Sequence, residues 1–314
     1  MLSNREFTQA DGSRDQAEGL RQLLVRASLR VVTVIGASKG MGTTSVVVNL
    51  AAALARAGKQ VLVLDENLSH DNVANVLALK PRFDLLNALR DDMPWREIVL
   101  QTTSGISVMP VARAMQALPK LNESECERML QSLTSATRRT DLVLVDATPD
   151  GQSVCASLSG EEPLLLVINA TAEGVTLSYA LLKQMAAQHG RKSFDLVVNK
   201  ARNEEEARTV FENMAQVALR HLQIELTFLG HIPQDDNLNL ATQLHHPLVE
   251  MYPATPAAIA FIELARKLIQ LPAAKKNGSN SLNQLLQRLL QRDPVLRQQK
   301  NRATRSTGVQ ITTI

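Results

Sequence analysis

The chain predicts an α/β fold, a mostly parallel sheet of about seven to eight strands wrapped by helices. Residues 31–45 read VVTVIGASKGMGTTS, a β-branched apolar run that passes through a glycine-containing turn into the helical stretch VVVNLAAALARAG. Further along, short apolar runs alternate with helical segments over short connections, the rhythm of successive βα units. The composition agrees: 45% of the 314 residues are hydrophobic but only 3% are aromatic. That balance suits strands covered on both faces by helices better than an aromatic-rich β-sandwich.

Taken in order, residues 1–13 are polar and carry no apolar core of a leader peptide. Residues 15–28, DQAEGLRQLLVRAS, place Ala17, Leu20, Leu23 and Leu24 at helical spacing. This helix either folds back on the body or docks a partner. After the first strand, residues 46–57 form an apolar helix closed by Gly58, and 60–64 a second strand ending at Asp65. Short helices are expected at 72–79 and 84–90, and a strand at 106–109 that stops at Pro110. Asn122 caps a helix to about residue 139. Strands follow at 141–146, 164–168, 194–198 and 224–229, with helices at 173–188, 204–221 and 256–271.

Three regions result: an N-terminal tail with its docking helix (1–28), the α/β body (29–271), and a basic linker with an amphipathic tail (272–314). From residue 272 the chain carries eight basic residues against one acidic, a net of +7. The whole chain is +3, which leaves −4 on the rest and points the tail toward something anionic or simply keeps it soluble. Within it Leu282, Leu285, Leu286, Leu289 and Leu290 share one helical face beside Arg288 and Arg292. That pattern fits an interfacial membrane helix, a helix packed on the body, or a self-association seam. No stretch approaches the ~18 apolar residues of a membrane span. Cys126 and Cys155 lack metal-ligand spacing, and a cytoplasmic protein, at most peripheral to the membrane, is expected.

The chemistry centres on the first turn. Backbone N–H groups of Lys39, Gly40, Met41, Gly42 and Thr43, and of the helix start at Thr44 and Ser45, suit a phosphate cradle. The Thr44 hydroxyl is a candidate Mg²⁺ ligand. Asp146, which closes an apolar strand, is a candidate for positioning Mg²⁺. The strict pattern G-x-x-x-x-G-K-[ST] is broken, however, with Ala37 at the first glycine and Thr43 at the lysine. No nucleophile-elbow or histidine metal motif is present.

Several segments together resemble the MinD/ParA class of P-loop ATPases over roughly residues 15–271. That class carries K-G-G-x-G-K-[ST]-[ST], whose first lysine reaches across a dimer. Within the class the chain is most similar to the flagellar number regulators of the FlhG/FleN group. The resemblance rests on DQAEGLR at 15–21, on VVVNLAAALARAGKQVLVLDEN, on ATAEGVTLSYALLK at 170–183, and on LGHIPQDDNLNLATQLHHPLVEMYPATPAA at 229–258.

The resemblance implies ATP or ADP with Mg²⁺ at the loop, Asp65 and Asp146 as site carboxylates, and Asn199, Pro233 and Asp235 on the adenine side. It implies that Asp15, Gln16, Ala17, Leu20 and Arg21 dock and stimulate a flagellar signal-recognition-type GTPase. It also implies a homodimer, membrane contact through the C-terminal helix, and a transcriptional regulator as a further partner. Ser38 stands at the signature lysine, Thr43 at the catalytic lysine, and Asn67 where the class places a water-orienting aspartate. Hydrolysis is therefore expected to be very weak or absent. Two alternatives stand beside this reading. One is a ParA-like DNA-associated partition or positioning factor, binding without sequence specificity. The other is a competent ATPase in which Lys39 substitutes for the missing lysine.

Overall fold

The uninterrupted apolar runs become strands buried on both faces. The computed structural model describes residues 29–148, 153, 155, 156 and 163–270, so the expected helices at 15–28 and 282–290 lie outside the described residues. The first half runs β1 (Arg30–Gly36), α1 (Thr43–Arg56), β2 (Val61–Asp65), α2 (Val73–Val76), α3 (Leu85–Arg90), α4 (Trp95–Ile98), β3 (Leu100–Gln101) and β4 (Ile106–Pro110). It continues with α5 (Ala112–Ala117), a 3-10 turn (Leu118–Lys120), α6 (Glu123–Ala136) and β5 (Leu142–Asp146). The second half adds β6 (Leu164–Asn169), α7 (Ala172–His189), β7 (Ser193–Ala201), α8 (Glu204–Leu222) and β8 (Glu225–Pro233). Three helices close it: α9 (Asp236–Gln243), α10 (Leu248–Met251) and α11 (Pro256–Gln270).

The strands form one eight-stranded sheet in the order β3-β4-β2-β5-β1-β6-β7-β8. Every pairing is parallel except that of β3 with β4. Because strand side chains alternate between faces, β1 serves two cores at once. Val32 and Val34 pack with α1 and α11 on one face, around the buried Phe261. Val31 packs with α3 and α6 on the other, and Ile35 with α7 and α8. Arg30, at the foot of β1, donates from Nη1 to the carbonyls of Leu268 at 2.8 Å and Ile269 at 2.6 Å. It thereby satisfies two carbonyls at the end of α11.

The elements match the expectations with instructive differences. β3 has only two residues, too few for a periodic signal, and was not anticipated; nor were the short helices α4, α5, α9 and α10. β7 and β8 run on past residues 198 and 229, pairing as far as Ala201 with Pro233, because the ladder continues through the polar residues at the strand ends. α6 stops at Ala136, where the Thr137 hydroxyl donates to the Leu133 carbonyl at 2.8 Å. No helix among the described residues is long and apolar enough to cross a membrane.

Candidate phosphate-binding site

The carboxyl ends of β1, β2, β5 and β7 converge on the turn between β1 and α1, the crest where open parallel sheets place their ligands. Gly42 enters α1 in the left-handed region, φ 87°, and no side chain caps the helix start. An L residue there costs roughly 1–2 kcal/mol, which is why glycine holds the position. The helix N-terminus thus offers its N–H groups and positive dipole end to an anion. A cavity of about 230 Å³ opens over the turn, lined by residues 38–45 and by Asn67, Asp71, Asp146, Asn199 and Lys200, among others.

The Thr44 hydroxyl donates to Asp146 Oδ2 at 2.8 Å. The other carboxylate oxygen, Oδ1, is buried and has no hydrogen-bond donor among the described residues. Burial, reinforced by the neighbouring Asp65 carboxylate, holds Asp146 well above the ordinary carboxylate range. An orphaned acceptor beside a hydroxyl oxygen is a donor set that fits hydrated Mg²⁺. Thr44 and Asp146 would hold that ion, which when bound with a nucleotide would neutralise phosphate charge.

Asp65 is also buried, and desolvation raises it to about 6 despite backbone hydrogen bonds from Ala74 and Asn67 that pull the other way. Its two oxygens accept those N–H groups, each at 3.2 Å. Asp65 therefore shapes the turn after β2 rather than lining the cavity over the loop. Asn67 does reach the cavity: its Nδ2 donates to Thr44 Oγ1 at 3.3 Å, and its Oδ1 accepts the Ser69 N–H at 2.9 Å. Glu66, between them, is buried and accepts from the Ser153 hydroxyl and, at 3.4 Å, from the Cys155 N–H. Burial first, then Glu66, pushes the Cys155 thiol up.

On the opposite rim, Asn199 Nδ2 donates to the Met41 carbonyl at 2.8 Å and Lys200 Nζ to the Gly40 carbonyl at 3.1 Å. Lys39, Gly40, Met41, Gly42, Thr43, Thr44, Ser45, Asp146 and Asn199 all line one cavity. Pro233 does not; it lines a separate groove between α8 and α11. Asp235 caps α9, accepting the Asn237 N–H at 2.9 Å, and its Oδ2 is buried without a donor among the described residues. Sequence reasoning missed Asp71 and Lys200 as cavity residues. The only signal for Lys200 was its place directly after Asn199 at a strand end.

The family model described as cellulose biosynthesis protein BcsQ matches residues 29–269. Antiactivator FleN of Pseudomonas aeruginosa is 29% identical over 273 residues, covering 87% of this chain and 97% of that protein. Flagellum site-determining protein YlxH of Helicobacter pylori is 21% identical, covering 66% of this chain and 70% of its own. Among solved structures, the septum site-determining protein MinD of Pyrococcus horikoshii, complexed with Mg-ADP, superposes with a TM-score of 0.60 at 21% identity. That match covers 79% of this chain and all of the other.

Proposed function

The chain belongs to the BcsQ family within the MinD/ParA class of P-loop ATPases, and from that premise we propose a nucleotide-binding regulator of flagellar number or placement. The observation that carries the flagellar part is the similarity to FleN, which spans 97% of that protein. In this reading residues 39–45 bind the phosphates of ATP or ADP, and Thr44 with Asp146 holds Mg²⁺. Asp15, Gln16, Ala17, Leu20 and Arg21 dock a flagellar signal-recognition-type GTPase, the body forms a homodimer, and residues 282–290 contact the membrane.

The switch binds better than it turns over. Thr43 carries no charge for the β- and γ-phosphates, and Asn67 cannot orient a water as a carboxylate does. Phosphoryl transfer depends mainly on positioning and charge neutralisation, so both replacements strike hydrolysis and leave the fold alone.

Calorimetry with Mg·ATP and Mg·ADP tests the site: micromolar binding is expected, and no binding at millimolar ATP would refute the nucleotide switch. Deleting residues 1–21 tests the docking segment, since unchanged binding to the GTPase would rule it out. The family description favours a second reading, a role in cellulose biosynthesis. Deleting the gene separates the two: a changed number of flagella per cell supports the first, and lost cellulose with normal flagella the second.

A further inference from the structure

The nucleotide reading leaves open what stands in for the lysine that position 43 lacks. Two lysines line the cavity, and they differ in how they are held. Lys39 makes no ion pair and no side-chain hydrogen bond among the described residues. Lys200 is fixed at three levels. Along β7 the pairing with β8 passes from Asn199 opposite Ile232 directly to Ala201 opposite Pro233, so Lys200 is the extra residue of a bulge. Its φ of 58° puts a long side chain in the left-handed region that glycine and asparagine normally occupy. Its Nζ then donates to the Gly40 carbonyl at 3.1 Å. Bulges beside functional sites re-aim side chains, and backbone strain of this kind persists where the surroundings enforce it.

Asn199 completes the arrangement. Its Nδ2 holds the Met41 carbonyl at 2.8 Å, while its Oδ1 accepts the Lys200 N–H at 3.0 Å. Two successive residues at the end of β7 thus grip two successive carbonyls of the loop. In a planar trans peptide the C=O and the following N–H point in opposite directions. Holding the carbonyls of Gly40 and Met41 outward therefore turns the N–H groups of Met41 and Gly42 the other way, toward an anion in the loop. A cation on a peptide oxygen also polarises that unit and strengthens its N–H as a donor.

We propose that Asn199 and Lys200 form a clamp that positions the phosphate loop, with the Lys200 ammonium taking over part of the electrostatic task that Thr43 cannot perform. Lys200 acts through the Gly40–Met41 peptide and is a positioning residue, not a catalytic one. The inference rests on the nucleotide reading above.

Calorimetry on the full chain tests it, comparing wild type, Lys200→Met, Lys200→Arg and Lys39→Met with Mg·ATP and Mg·ADP. Methionine keeps the length of the stem and removes the ammonium, with its charge and its hydrogen-bond donors. The expected result is a roughly tenfold weaker Kd for Lys200→Met, the loss of one exposed charge-assisted contact. Lys200→Arg should stay within about threefold of wild type, and Lys39→Met, which keeps the backbone N–H offered to the phosphates, should weaken binding less than Lys200→Met does. Lys200→Met within twofold of wild type would overturn the clamp. So would Lys200→Arg binding no better than Lys200→Met, or a loss seen with Lys39→Met instead. Absence of binding by the wild type at millimolar ATP would overturn the nucleotide reading itself and the clamp with it.

Discussion

Gly40 and Gly42 provide an internal control for the geometry of the loop. Both are left-handed, at φ 83° and 87°, so an alanine at either position carries the same backbone cost of roughly 1–2 kcal/mol. Both substitutions also narrow the unfolded ensemble equally. They differ in what the new Cβ meets. At Gly40 no atom of the described residues lies within 4 Å, whereas at Gly42 the Cβ would fall on Asn199 Nδ2, inside any real Cβ contact distance. Asn199 must swing away and release the Met41 carbonyl, and it does so as a buried side chain, 3% exposed. Losing a buried hydrogen bond costs about 1–3 kcal/mol. Gly42→Ala should therefore be less stable than Gly40→Ala by about 1–3 kcal/mol, or roughly 2–12 °C in Tm for a body of this size. Urea unfolding with unchanged m-values measures the difference. An Asn199→Ala background should abolish it, because the group that clashes is then gone. Equal destabilisation by the two glycine substitutions, within about 0.5 kcal/mol, would refute the placement of Asn199.

Two further predictions concern the buried carboxylates and turnover. Asp65 titrates near 6 in the folded protein against 3.8 ordinarily, so between those values the folded state holds a proton that the unfolded chain has released. Stability without nucleotide should therefore fall as pH rises from about 4 to 6, with Asp65 contributing on the order of 3 kcal/mol of the fall. The stability of wild type relative to Asp65→Asn, followed by urea unfolding across that range, isolates this share; a flat difference would contradict it. Phosphate release by the wild type should lie at background, whereas Thr43→Lys combined with Asn67→Asp should raise it by about 100-fold or more. Wild-type turnover equal to that of the double variant would show that neither position matters.

What the sequence made legible follows from the range of the interactions. β1, β2, β5 and β6 are near-continuous apolar runs, because a strand covered on both faces has no polar side to show. Thr44 and Asp146 were readable because each sits at a fixed place in a strand–turn–helix or strand-end pattern. The Lys200–Gly40 contact joins residues 160 apart in the chain and exists only because the sheet order brings β7 near β1 and a bulge turns the side chain. No local pattern encodes that. Pro233 and Asp235 matched a family segment, but β8 runs on to Pro233, and α9 starts at Asp236 with Asp235 as its cap. The strand end accounts for the place of Pro233, and the cap for one oxygen of Asp235, whose Oδ2 stays buried without a donor among the described residues.

The two departures from the class pattern are linked by charge. The pattern places a lysine at position 43 and an aspartate at position 67; this chain has Thr43 and Asn67, which removes one positive and one negative group from the same cavity. Asn67 lies beside Thr44 and Asp65, and Asp146 is already held above its ordinary range by burial and by Asp65. A further carboxylate there without a lysine, beside Asp65, Glu66, Asp71 and Asp146, would add like-charge repulsion in a dry site, where such repulsion is least screened. A lysine without the carboxylate would add charge to a loop already held by Lys200. The neutral pair leaves Asn67 free to donate to Thr44 and to accept from Ser69, so both ends of its side chain are partnered without either charge. Restoring Thr43→Lys or Asn67→Asp singly should thus cost more than restoring both, and the coupling energy in the double-mutant cycle should be favourable. Additive effects on stability would mean that the two positions changed independently.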